Sequence, residues 1–203
     1  MKYTGTEMET VSGRMVDLVN TSPDTIYLPD VARHLSRIAR FNGATRGEVY
    51  SVAQHSVLVA DLVEKFYRIT DPLVVMQALL HDAHEAYLGD ITTPLKNAPG
   101  MRAALRRIES QIIDAVYTGL GVPPPWGGNV DVINQADQLA LRIEARHLMY
   151  TRGEEWQDQR TIHPKAAALF RQPLTHDRAY DLFLGEFGRL ELAMHRYPTA
   201  CGA

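Results

Sequence analysis

Hydrophobic positions in this chain recur mostly at intervals of three and four, the spacing of a buried helical stripe; only near the N-terminus is an alternating pattern plausible. Between Thr6 and Asp17, Ser12-Gly13 separates two short β-permissive runs, which predicts a small hairpin. Pro29 and Asp30 suit the first turn of a helix in which Val31, Leu35, Ile38 and Ala39 recur through Arg40. The loop Phe41–Tyr50 opens on Asn42-Gly43. Ser51 then caps a helix to about Tyr67, with Val52, His55, Val59, Leu62, Val63 and Phe66 on one stripe. Asp71-Pro72 starts a third helix, which runs through the apolar Leu73–Leu80 toward a break at Gly89.

Further on, Thr92, Thr93 and Pro94 predict a tight loop that returns the chain at Lys96. A fourth helix runs from about Gly100 to Tyr117 and ends at Gly119 and Gly121. The stretch Pro123–Gly128, PPPWGG, is a stiff loop and no domain linker, because helical periodicity resumes at once. The fifth helix, Asp131 to about Tyr150, has Val132, Ile133, Ala136, Leu139, Ala140 and Ile143 as its stripe, with Asp137 beside it. After a loop through Pro173 that holds Trp156 and His163, Thr175 or Asp177 caps a last helix to about Tyr197. The expectation is an all-α helical bundle, one domain over residues 1–203, with a small N-terminal β-hairpin.

Composition narrows this without changing it. With 45% apolar and 22% charged residues the chain has the balance of a soluble globular protein, and no apolar run approaches the roughly 20 residues of a membrane span. The segment MKYTGTEMET lacks an apolar signal core. The single cysteine, Cys201, has no partner for a disulfide, so a reducing cytoplasm is the expected location. A net charge of −3 argues against long nucleic acids as partners while allowing a local basic pocket for one phosphate group.

The chemistry is concentrated in Leu79–Lys96, LLHDAHEAYLGDITTPLK. Ionisable groups at the end of a buried helix are costly unless paired or bound to a metal, so their clustering suggests a site. On a continuous helix Glu85, four residues after His81 and three after Asp82, projects over the same turns. In a bundle, His55, the His81-Asp82 pair and Asp137 come from three helices, and bundle cores are where facing helices assemble metal sites. Two imidazoles and two carboxylates suit Zn, Co, Mn or Fe(II), whereas Mg prefers more oxygen. Blander readings compete. His55 alone on an apolar face reads as a core histidine, Asp90 could cap the turn at Thr92 or Thr93, and Arg40 could complement a helix dipole. His84, one residue off the metal-facing set, is expected beside the site or on the surface.

The order H…HD…D resembles the HD-domain metal-dependent phosphohydrolases, with His55, His81, Asp82 and Asp137 at the four signature positions and the resemblance running from about Asp30 to Tyr150. Within them the chain is similar to small nucleotidases acting on deoxynucleotides, including bacterial 5′-deoxynucleotidases and phage dATP triphosphohydrolases. The matching words are ARFNG, YSVAQHS and HDAHEAYLGDITTPLK. The resemblance implies that Glu85 and Asp90 position or deprotonate the attacking water and that Arg40 and Lys96 hold phosphate. Phe41 stands where the bacterial deoxynucleotidases carry a tryptophan beside the nucleoside. A small-molecule deoxynucleotide as partner and a homo-oligomer, dimer or hexamer, are expected with it.

Two cationic side chains beside the metal favour a longer phosphate chain. The leading expectation is therefore a dNTP triphosphohydrolase of dATP type releasing deoxynucleoside and triphosphate, with further Mg or Co ions admissible beside the phosphates. The alternative is a 5′-deoxynucleotidase acting on dNMPs. A silent HD nucleotide-binding module is the non-enzyme alternative, and such a module is expected to have lost at least one metal position or acid.

Overall fold

The computed structural model describes residues 5–156 and 160–196, and the architecture is a helical bundle with one small hairpin. Strands β1 (Glu7–Glu9) and β2 (Met15–Asp17) pair antiparallel, with Met8 opposite Val16. The predicted hairpin is thus present, and its turn is tied to the bundle by chemistry. The Thr10 and Ser12 hydroxyls donate to the buried Asp30 carboxylate at 2.7 and 2.6 Å. Asp30 lies in the first turn of α1 (Leu28–Arg37), so a carboxylate at a helix start also anchors the hairpin.

Helix α2 (Val52–Asp61) is the centre of the molecule. Every one of its residues is buried, and α1, α3 (Pro72–Leu79), α7 (Gly128–Leu148) and α9 (His176–Arg196) pack around it. The caps are those the sequence suggests: the Ser51 hydroxyl accepts from the Gln54 amide, and the Asp71 carboxylate accepts from the Leu73 amide. Complete burial of Val52, Val57, Leu58 and Val59 removes apolar surface on all sides, worth about 1.5–3 kcal/mol per side chain. Among the polar groups that this buried helix carries, Gln54, His55, Ser56 and Asp61, His55 is the one that meets ionisable partners from both α7 and the turn after α3. Helix α9 closes the outer face through Ala179, Phe183, Phe187 and Leu190.

The remaining helices are α4 (Glu85–Leu88), α5 (Thr93–Lys96), α6 (Met101–Gly119) and α8 (Pro164–Ala167). Gly119 lies against the short 3-10 turn Pro23–Thr25. A Cβ there would fall 2.5 Å from the Pro23 carbonyl oxygen, so only glycine lets the two elements meet.

Local expectations were revised in several places, among them Thr93–Lys96, a short helix where a tight loop was expected. The third helix stops at Leu79, and residues 80–84 form turns with amide bonds to the third residue back, Ala83 to Leu80 and Glu85 to Asp82. The His81 ring donates from Nδ1 to the Ala78 carbonyl at 2.8 Å, and that side-chain bond competes with the helical ladder. His81, Asp82 and Glu85 therefore do not share one continuous helix. The first helix ends at Arg37, with Ile38 and Ala39 extended and Ala39 bridged to Ser51, so Arg40 begins a 3-10 turn (Arg40–Gly43) and complements no helix dipole. Helix α7 starts at Gly128, ahead of Asp131. The Thr175 hydroxyl accepts from Arg178 at the start of α9, while Tyr197 and Cys201 lie outside the described residues. No described helix is long and apolar enough to cross a membrane.

Candidate metal centre

His55, from the middle of α2, points Nε2 at three other donors. His81 Nε2 lies 3.3 Å away, Asp137 Oδ1 3.1 Å and Asp82 Oδ2 3.4 Å. His81 Nε2 is in turn 3.2 Å from Asp82 Oδ2 and 3.8 Å from Asp137 Oδ1. Ligands at ~2.0–2.2 Å from a common ion stand about 3.0–3.5 Å from each other, so these spacings suit a divalent cation. The ring hydrogen bonds agree with this. His55 Nδ1 faces Glu144 Oε1 at 2.6 Å and His81 Nδ1 faces the Ala78 carbonyl, which leaves each neutral ring with its Nε2 lone pair toward the cluster.

Electrostatics without an ion give the same picture from the proton's side. Burial, and for His55 the Arg40 guanidinium, would depress the two imidazoles. Glu144, Asp137 and Asp82 outweigh them, so His55 is held well above its usual value and His81 is raised to about 10. Asp82 and Asp137 are held down against their burial by the two histidines. The carboxylates of Asp82, Asp137 and Glu144 concentrate negative charge at one point, which favours protons on the two imidazoles for the same reason that it would favour a cation between them. Asp137 is 41% exposed at its side chain while His55 is sealed, so the centre opens toward solvent on the α7 side.

Glu144 is the member that sequence reading passed over. It lies seven residues after Asp137 on α7, two turns along the same face, and is fully buried. One oxygen meets His55, and the other accepts from Arg40 Nε at 3.3 Å. The available signal was an acidic residue continuing the buried stripe directly after Ile143. Arg40 also reaches Asp90 at 3.6 Å, so Asp90 is drawn to the site and has a partner beyond turn capping.

Glu85 is buried, and its Oε2 has no hydrogen-bond partner; burial first, then Asp82 and Asp90, push its carboxyl up to about 9. Donor atoms of Asp82, His84 and Glu85 lie within 4.8 Å of one another, and His84 is 8% exposed with its Nδ1 unpartnered, which places it beside the site. Lys96 pairs with Glu109 of α6 at 3.2 Å, close enough to the site for its charge to act on Asp90 and His84. Phe41 stands against Arg40, whose guanidinium carbon is 5.6 Å from the ring centroid. A second acidic group, Asp61, Glu64 and Glu186, is balanced by Lys65, Arg171 and Arg189 as an ion-pair network.

Residues 28–121 match the family described as 5′-deoxynucleotidase YfbR-like. That span contains Arg40, His55, the His81-Asp82 pair, Glu85, Asp90 and Lys96, while Asp137 and Glu144 lie beyond it. An uncharacterized protein of Rhodobacter capsulatus is 36% identical over 140 residues, 68% of this chain and 70% of that protein. The uncharacterized protein YfdR of Escherichia coli is 33% identical over 184 residues, 90% of this chain and 94% of that protein. With the helical bundle and the clustered histidines and aspartates, these matches establish that the chain belongs to the YfbR-like 5′-deoxynucleotidase family of metal-dependent HD-domain proteins.

Proposed function

We propose that this protein hydrolyses the phosphate ester of deoxynucleoside 5′-monophosphates at a divalent metal held by His55, His81, Asp82 and Asp137. The carrying observation is that donor atoms from two helices and a turn lie 3.1–3.8 Å apart, with Arg40 and Glu85 beside them. An ion in this set would lower the pKa of a water bound to it toward ~7. Arg40 is the proposed phosphate partner, since its guanidinium lies between Glu144 and Asp90 at the edge of the cluster. Glu85 and Asp90 are the proposed proton acceptors and donors: water oxygen adds to phosphorus, the bond from phosphorus to the 5′-oxygen breaks, and the departing oxygen takes up a proton.

The triphosphate expectation loses its main support here. It counted Arg40 and Lys96 as two cations for a long phosphate chain, but Lys96 is compensated by Glu109, which leaves Arg40 as the proposed phosphate partner. The family description is likewise nearer to the monophosphate alternative. The test is a screen of dNMPs and dNTPs with added Zn, Co, Mn or Mg, with products resolved as phosphate or triphosphate. Inorganic phosphate from dNMPs supports the reading; triphosphate from dNTPs with inert dNMPs would replace it. An Asp82→Asn variant with undiminished metal content and activity would refute the metal assignment altogether.

A further inference from the structure

Helix α4, which carries Glu85, is a single turn. It follows the turns of residues 80–84 instead of continuing α3, and it stops at Gly89, whose amide donates to the Glu85 carbonyl at 2.8 Å. One isolated helical turn does not hold itself, and its last carbonyls need partners from outside. The buried Glu85 carboxyl is not steadied by a hydrogen bond at Oε2, so its aim depends on where α4 sits.

That partner is His34, on α1. Its Nδ1 lies 2.8 Å from the Ala86 carbonyl oxygen, one residue after Glu85, and its Nε2 lies 3.2 Å from the Val11 amide nitrogen. A carbonyl takes a proton and an amide gives one, so both bonds form only on the neutral ring with hydrogen on Nδ1. The ring also meets the buried Tyr87 of α4 edge to face, with centroids 6.3 Å apart and planes at 73°. Val11 is itself held. Its neighbours Thr10 and Ser12 donate to Asp30, four residues before His34 on the same face of α1, so one helix face grips the hairpin turn at two points. Hairpin turn, His34 and α4 are thus joined in series, and the series ends beside Glu85.

We infer that His34 is a positioning residue for hydrolysis, which sets α4 through the Ala86 carbonyl and thereby aims the Glu85 carboxyl. This rests on the reading of Glu85 as a proton-transfer group at the metal centre. His34 touches neither metal nor phosphate in that reading and acts only through α4. The hairpin braces the ring from its far side, which gives this small sheet a part in the chemistry.

The experiment measures kcat, KM and metal content with dAMP for wild type, His34→Ala, His34→Asn and His34→Gln, each also combined with Glu85→Gln. His34→Ala should lower kcat by roughly 10- to 100-fold, the scale of a small misplacement of a reacting group, with KM and metal content unchanged. Asparagine places an N–H near the Nδ1 position and should restore most of the rate. Glutamine places its amide near the Nε2 position, keeps the Val11 bond and should not. In the Glu85→Gln background the same substitutions should cost nothing further, because a residue that acts through Glu85 has no effect once that carboxyl is gone. A wild-type kcat in His34→Ala with a lowered melting temperature would overturn the inference, and so would an equal loss in the Glu85→Gln background or a loss of metal in proportion to rate. A wild type inert on dNMPs and active on dNTPs would sink the monophosphate reading alone, and the same variants on dNTPs would then decide the role of His34. A wild type inert on both would overturn the two together.

Discussion

Glu144 holds His55 from behind: Oε1 sits 2.6 Å from Nδ1, and neither side chain is exposed to solvent. The carboxylate orients the imidazole, fixes the tautomer that turns Nε2 toward Asp82, Asp137 and His81, and with its second oxygen ties the same point to Arg40.

Replacing that carboxylate should therefore weaken metal binding without touching a proposed ligand. Glu144→Gln is expected to lose about 10- to 100-fold in affinity for the ion, the usual effect of removing such a support. Glu144→Ala should in addition lower the melting temperature, because it leaves the buried Arg40 without one of its two carboxylates. Calorimetric metal titration beside thermal melts separates the two effects. Unchanged affinity in Glu144→Gln would show that the orientation of His55 does not matter.

The metal-free protein should lose stability as pH rises above neutrality. His81, raised to about 10, and His55, also raised, stabilise the fold while protonated, fully below the ordinary value of 6.5 and progressively less up to about 10. Asp82 and Asp137 are shifted the other way, so their contribution is present above 3.8 and is lost as pH falls below it. Metal must displace the imidazole protons, so uptake should release protons and tighten as pH rises. Urea melts of chelator-treated protein at a series of pH values, with calorimetry in buffers of different ionisation heat, check both statements.

Glu85→Gln should trade rate for stability. The folded protein prefers this carboxyl neutral, at about 9 against 4.5, so in the metal-free wild type its ionisation costs stability increasingly from pH 4.5 to 9. The amide removes that cost, and the variant should melt higher than wild type at pH 8 while keeping its metal. Turnover should drop ~10²–10⁴-fold, the usual contribution of a proton-transfer group. If metal were lost in proportion to rate, Glu85 would have to be counted as a ligand.

Lys96→Ala should have small and equal effects on dNMP and dNTP substrates, because its ammonium is compensated by Glu109 in a partly exposed pair. Exposed pairs of this kind are worth ~0–1 kcal/mol, so little stability should be lost. A loss confined to triphosphates in steady-state kinetics would return Lys96 to the phosphate site and revive the triphosphatase reading.

The sequence by itself determined the helical framework, because burial periodicity and capping chemistry are local: Ser51 and Asp71-Pro72 mark helix starts where the structure has them, whereas Gly89 ends only the short α4. It also pointed to His55, His81, Asp82 and Asp137, since an unpaired ionisable group on or beside a buried stripe needs a partner elsewhere in the chain. What it could not supply was the partner of each group, because contacts across 89 or 104 residues leave no spacing to read. The convergence of Glu144 on His55 and Arg40, the capture of the Ala78 carbonyl by the His81 ring, the pairing of Lys96 with Glu109 and the contact of Phe41 with Trp156 were decided by the tertiary structure alone. The physical reason is the same throughout: a charged or aromatic side chain fixes what kind of partner it requires, and only the packing of α2 against α7 and the flanking turns fixes which residue that partner is.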